Sequence, residues 1–176
     1  MNRRRVLTRI VQGFAVVGGG FAIYPFIKAW LPDFRQDLGL DVDLADLAPG
    51  QWKLVHWLGR KVIVRRRSTA MVNYLEAGHG DLKDPNSRES VQPAFADNTF
   101  RSRTPEYFVA FNNCTHLGCE VTPVNNGGVG FECPCHKSDY DYAGRVMSGG
   151  PAPFNLEVPW YRLIAGKRLK LDVRES

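Results

Sequence analysis

Residues 10–31 are almost wholly apolar, with Gln12 and Lys28 as the strongly polar exceptions. A run of roughly 22 residues spans about 33 Å as a helix, enough for a hydrocarbon core of about 30 Å, so the pattern predicts one membrane-crossing helix. Lys28 sits near its end, where the stem reaches the interface beside Trp30, and Pro32 is placed to stop it. Residues 32–40 are short and polar, a tether. Beyond them the period shortens. Residues 52–56 and 62–66 alternate on either side of Gly59 and predict a hairpin. Ser68 as N-cap, Met71, Val72 and Leu75 at helical spacing, and Gly78 as a stop predict a short helix. Residues 81–103 collect Pro85, Asn86, Pro93, Asp97 and Asn98 without a period, and read as an irregular insertion over the surface. Short apolar runs at 107–111 and 129–132 predict strands that each feed into a cysteine, with the turn-rich Asn125-Asn126-Gly127-Gly128 between them. Residues 161–164 and the alternation 168–173, joined by Ala165-Gly166, predict a closing hairpin. With no internal repeat and no low-complexity tract, the pattern implies a mainly β chain: a small antiparallel domain behind one helix.

At 176 residues, 44% hydrophobic and 11% aromatic, the chain has room for one modest folded domain plus an appendage, which excludes a disordered tail. A net charge of +5 invites a nucleic-acid reading, but the location of the charge decides against it. Arg3, Arg4, Arg5, Arg9 and Lys28 all precede the first acidic residue, Asp33, leaving 18 basic against 18 acidic groups in a formally neutral body. The same cluster predicts a cytoplasmic amino terminus with the remainder outside, in a bacterial inner membrane. Asn2-Arg3-Arg4-Arg5-Val6-Leu7-Thr8 is similar to a twin-arginine export signal, with Arg3 and Arg4 as the pair. Such a signal suits a domain that folds before it crosses the membrane. Trp30, Leu31 and Pro32 stand where a small-residue cleavage site would be sought, so the helix reads as an uncleaved anchor; a cleaved signal peptide and an ordinary positive-inside anchor are the competing readings. Residues 1–9 are thus the basic segment, 10–31 the anchor, 32–40 the tether and 41–176 the exported domain. Gly18-Gly19-Gly20 permits close approach of a second helix and is equally common in signal segments.

Every cysteine lies in one of two boxes, Cys114-Thr115-His116-Leu117-Gly118-Cys119 and Cys133-Pro134-Cys135-His136. A Cys-x-His pair matched by a Cys-x-x-His pair offers two thiolates and two imidazoles, with one cysteine per box to spare. A structural zinc site on Cys114, His116, Cys133 and His136 explains those four ligands alone. Two ordinary disulfides with incidental histidines also satisfy the cysteine arithmetic. A mixed iron–sulfur cluster uses the inventory better. His56 and His79 lie outside the boxes and read as structural or surface residues.

The boxes and their surroundings resemble the Rieske iron–sulfur protein of ubiquinol–cytochrome c oxidoreductase, the cytochrome bc complex, along nearly the whole chain. The resemblance implies a Rieske fold with a smaller cluster-binding subdomain at about residues 112–154 and a [2Fe-2S] cofactor with Cys114 and Cys133 on one iron and His116 and His136 on the other. It implies a disulfide between Cys119 and Cys135, and hydroxyl donation to the cluster and its ligands from Ser138 and Tyr140. Gly150-Pro151-Ala152-Pro153 matches the family's proline loop. Leu117, Lys137 and Pro151 fall on the docking, quinol-side tip, and exposed His136 is the group that meets quinol and takes its proton. The implied partners are cytochrome b, a cytochrome c-type subunit, ubiquinol and the membrane, with no nucleic acid. One position departs: Lys137 stands where the family has glycine, and it reads as an exposed ammonium rather than a contact to the cluster. A Rieske small subunit of an exported oxidase such as arsenite oxidase, and a zinc-stapled membrane-tethered binding module, are the alternatives; dioxygenase ferredoxins share the ligand boxes only.

Overall fold

A computed structural model describes residues 2–30, 38–78, 80–124, 129–165 and 167–173. It divides into two units, 1–37 and 38–176, taken separately below. The first is a helix, α1 (Arg3–Trp30, 28 residues), long and apolar enough to cross a membrane. It starts seven residues before the apolar run, because arginine is a good helix former and nothing among residues 3–9 breaks a helix. Pro25 lies inside it and removes one backbone donor. Pro32 and most of the tether fall outside the described residues.

Within the second unit the strands form three antiparallel three-stranded sheets. β1 (Leu40–Asp43), β9 (Arg168–Leu171) and β8 (Tyr161–Ile164) make the first, in that order. β2 (Trp52–Trp57), β3 (Arg60–Arg66) and β4 (Tyr107–Phe111) make the second, and β5 (Thr122–Pro123), β6 (Phe131–Cys133) and β7 (Ser138–Tyr140) the third. The β2–β3 hairpin turns at Leu58 and Gly59, both at positive φ (49° and 75°), the geometry that matches strand twist. α2 (Thr69–Ala77) has the expected caps: the Ser68 side chain accepts from the Met71 N–H, and Gly78 is left-handed.

In the middle sheet, β3 and β4 are buried on both faces. Val62 and Val64 of β3, with Val109 and Phe111 of β4, pack into a core with Val42, Leu44, Leu169 and Leu171. Ile63, Phe108 and Ala110 point the other way, into a second core with Phe131, Tyr140, Leu156 and the sulfur-bearing Cys114 and Cys133. That explains why residues 62–66 do not alternate between core and solvent: a strand covered on both sides is apolar at successive positions. The predicted strand at 129–132 is also shifted. Gly130 is at φ 73°, so pairing begins at Phe131 and Cys133 itself closes the strand. β1, β5 and β7 are additions to the sequence reading.

Residues 81–103 are irregular apart from the 3₁₀ turn at Ala94–Ala96, as expected, but they do not simply cover the surface. Arg101 is 0% exposed and Ser102 2%. Arg101 donates to Gln92 Oε1 (2.9 Å) and to the carbonyls of Ala143 (3.1 Å), Gly144 (3.3 Å) and Leu156 (2.8 Å). Asn155 Nδ2 reaches back to Asp84 O and Ser87 Oγ, both at 2.9 Å. Part of the segment's polar composition, at Asp84, Ser87, Arg101 and Ser102, therefore reflects buried groups with partners, while most of its other polar side chains are solvated. The chain carrying both cysteine boxes leaves the middle sheet at Phe111 and returns beside it, closed by Phe111 N–H to Glu157 O at 2.9 Å.

Burial pushes the Arg101 guanidinium down to about 10, still cationic at neutral pH. Replacing it with methionine strands the carbonyls of Ala143 and Leu156, while that of Gly144 keeps the Leu156 N–H at 2.8 Å. We expect Arg101→Met to destabilise the second unit by about 3 to 5 kcal/mol, read by denaturant unfolding followed by tryptophan fluorescence. Arg162→Met, at a half-exposed position, should cost no more than about 0.5 kcal/mol.

Candidate metal centre

Each box is a turn at a strand end. The first follows β4 and folds on itself through Gly118 N–H to Cys114 O (2.9 Å) and Cys114 N–H to Cys119 O (2.7 Å). The second joins β6 to β7, closed by Lys137 N–H to Cys133 O at 3.0 Å. A disulfide between Cys119 and Cys135 links the two turns. Cys114 and Cys133 remain as buried free thiols. The sulfur of Cys133 lies within 4.8 Å of both disulfide sulfurs, but these are consumed in their own bond and are not thiolate donors.

His116 and His136 face each other edge-on, with ring centroids 4.8 Å apart. His136 is exposed and His116 half-buried, and the Nδ1 of His116 is buried with no hydrogen-bond partner. Buried polar atoms are normally paired. Here an orphaned ring nitrogen, a facing imidazole and two thiols outside any disulfide are carried on two linked loops, and that donor set fits a mixed thiolate–imidazole cluster. Burial pushes the Cys133 thiol up, so loading the site with metal must displace its proton. His56 stands apart as an exposed residue of β2, and His79 lies outside the described residues.

The surroundings are specific. Tyr140, fully buried, donates its hydroxyl to Cys114 Sγ at 3.3 Å and accepts from Thr115 N–H at 3.2 Å. Burial, and next the bond to Cys114, hold the phenol well above its ordinary pKa, so it remains a donor. Thr115 was passed over in the sequence. Its Oγ1 donates to Phe154 O (2.6 Å) and accepts from Phe154 N–H (3.3 Å), clasping the first box to the chain after the proline loop. Ser138, 1% exposed, accepts from Ala152 N–H at 3.0 Å, which leaves its own proton free. Gly150 permits this approach: a Cβ there would lie 2.5 Å from Ser138 Cα and 2.7 Å from its Oγ. Leu117 projects with 71% exposure, and Pro151 is exposed nearby in sequence to Phe154, itself 41% exposed.

Lys137 is exposed as expected, but it is not without a contact: its ammonium pairs with Glu132 at 2.7 Å. Its φ of 57° identifies the backbone reason for glycine at this position in the family it resembles. The ion pair was invisible in the sequence because Glu132 belongs to the opposing strand β6.

A profile for the Rieske [2Fe-2S] domain matches residues 41–161. Over 169 residues the chain is 39% identical to the ubiquinol-cytochrome c reductase iron-sulfur subunit of Allochromatium vinosum, covering 89% of this chain and 82% of that one. The subunit of the same description from Bradyrhizobium diazoefficiens is 33% identical over 174 residues, covering 97% and 94%. A solved structure described as a hyperthermophilic respiratory Complex III aligns with 92% of this chain and 98% of its own, at 24% identity and a TM-score of 0.49.

Because Glu132 offsets the Lys137 charge, we expect Lys137→Gly to move the reduction potential of the metal-loaded protein by no more than about 20 mV. Glu132→Gln, which leaves the ammonium bare, should raise it. Voltammetry of both variants checks this; a fall several times larger in Lys137→Gly would show that the lysine acts without neutralisation.

Proposed function

The chain belongs to the Rieske [2Fe-2S] domain family, and on that premise we propose that it is the iron–sulfur subunit of a respiratory ubiquinol–cytochrome c oxidoreductase. The carrying observation is that two disulfide-linked loops carry two thiols outside any disulfide, Cys114 and Cys133, and two facing imidazole rings, His116 and His136, with the Tyr140 hydroxyl aimed at Cys114 Sγ. The descriptions of the relatives favour this reading over an exported-oxidase subunit or a zinc-stapled module.

In this reading Cys114 and Cys133 hold one iron and His116 and His136 the other. When bound, the cluster supplies a one-electron acceptor whose neutral imidazole ligands lift its potential to about −150 to +300 mV, against about −400 mV for plant-type all-cysteine clusters. The protein's part is to bind, orient and move a proton. His136, exposed at the edge of the site, presents its outer ring nitrogen to the quinol hydroxyl and accepts the first proton as the electron leaves. Leu117, Pro151 and Lys137 form the rim that docks at the quinol site. Tyr140 donates to a sulfur that becomes more electron-rich on reduction, and the free proton of Ser138 serves the same end, so both favour the reduced state. The Cys119–Cys135 disulfide keeps the two boxes closed over the cluster.

Cytochrome b and a membrane-anchored cytochrome c are the partners, and ubiquinol the reductant, in a cycle coupled to proton translocation. The anchor α1 lies in a bacterial cell membrane with its amino terminus cytoplasmic and the second unit periplasmic. Arg3 and Arg4 direct export of the folded chain, and residues 32–40 act as the tether that lets the cluster domain travel from quinol to cytochrome.

Purification from native membranes tests the proposal. Acid-labile sulfide matched by an equal amount of non-haem iron, with cytochromes b and c in the same particle, is expected; zinc without sulfide would end it. Tyr140→Phe should keep the fold and lower the potential by about 50 to 100 mV, taking a hydrogen bond that differs by roughly 1 to 2 kcal/mol between oxidation states. Quinol oxidation should slow with it. An unshifted redox titration would mean the hydroxyl does not act on the ligand sulfur.

A further inference from the structure

The proline loop cannot hold itself. Of Gly150-Pro151-Ala152-Pro153, the two prolines have no N–H, and the Ala152 N–H is used by Ser138 Oγ. Its carbonyls at 150 and 152 find one donor group from a distant part of the chain: the Lys83 ammonium, 2.5 Å from Gly150 O and 2.9 Å from Ala152 O. Lys83 is itself fixed by its backbone. Its N–H donates to Val146 O at 3.1 Å, Leu82 forms a bridge with Met147, and Ser148 N–H reaches Asp81 O at 2.8 Å. Residues 81–83 therefore run as an extra edge beside the segment leading into the loop.

The geometry points to Lys83 as a positioning residue for the redox centre: by gripping the carbonyls on both sides of Pro151, it keeps the Ala152 N–H on Ser138 Oγ and so aims the Ser138 proton at the cluster. A hydroxyl has one proton and must turn it away from a donor that it accepts from. Ala152 thus sets the direction of that proton, and Lys83 sets Ala152. Most of the lysine is exposed, so its bonds compete with water and contribute little to global stability. Its effect lies in geometry. This inference rests on the assignment of Ser138 as a cluster donor under the function proposed above.

The test is a redox titration of the full-length, cluster-loaded chain in detergent, followed by EPR, with thermal melting alongside. Lys83→Met should lower the midpoint potential by most of the fall that Ser138→Ala produces, with little change in melting temperature. The double variant should fall no further than Ser138→Ala alone, because both changes remove the same hydrogen bond. Lys83→Arg, which keeps charge and donors, should stay near the unaltered protein. Full additivity of Lys83→Met with Ser138→Ala would overturn the inference in favour of a through-space charge effect. An unshifted Lys83→Met beside a shifted Ser138→Ala would overturn this inference alone. If Ser138→Ala itself leaves the potential unchanged, the assignment of Ser138 fails and this inference with it. Should Lys83→Met not retain its cluster, Lys83→Gln, which keeps N–H donors without the charge, takes its place: a potential near that of the unaltered protein is expected, and a fall that adds in full to that of Ser138→Ala would overturn the inference in favour of a through-space charge effect.

Discussion

Carbonyl groups buried in backbone that has no ladder set the requirement the rest of the second unit answers. An irregular segment carries the same polar groups as a strand but no neighbour at fixed spacing, so a buried carbonyl that meets no backbone N–H needs a side-chain donor. Guanidinium suits the task because it offers five donors in a planar fork and is weakly hydrated. Arg67 donates to Tyr142 O (3.0 Å), Pro105 O (2.9 Å) and Phe100 O (2.7 Å) while lying over the Phe108 ring. Arg101 does the same for residues 143, 144 and 156. Burial lowers Arg67 to about 9, which leaves it charged at neutral pH. These arginines tie residues 81–103 to the chain around the cysteine boxes from below.

The same constraint shapes the boxes and the turn after them at smaller scale, there with side-chain oxygens that accept from backbone N–H groups. Asn112 Oδ1 accepts from Val121 N–H at 3.1 Å, holding the far end of the first box against the end of β4. Asp141, fully buried, accepts from the N–H groups of Ala143 (2.8 Å) and Arg145 (2.9 Å) and is neutralised by Arg145 Nε at 2.6 Å. Tyr140 and Thr115 complete the set around Cys114. Loops with so many fixed partners present their side chains in one arrangement before any metal arrives, which is the condition for a redox centre to change charge with little rearrangement.

What the sequence disclosed follows the range of each interaction. Ser68 and Gly78 mark α2 because a cap acts within three or four residues. The run Tyr107–Phe111 marks β4 because continuous burial leaves no polar positions. β7 was missed because Ser138 and Asp139 have poor strand propensity and pair only through β6. Arg101 and Lys83 looked like surface residues in a polar stretch, since the carbonyls they hold lie 42 to 69 positions away in sequence. The Cys119–Cys135 pairing came from the family resemblance rather than from spacing, which allows other connectivities. Lys137 was legible as a departure but not as half of an ion pair, because its partner sits across a strand register that no local pattern encodes.

The closure of the box-bearing chain at Phe111 and Glu157 has a consequence for anyone who would move this centre elsewhere. Cut at that neck, the excised piece would contain both cysteine boxes and would look like a portable cassette. It would leave behind the donors to residues 143, 144, 150, 152 and 156. The transferable unit is therefore discontinuous: two stretches of chain, one rich in ligands and one rich in nitrogen donors, separated in sequence by β4 and exchangeable between scaffolds only as a pair.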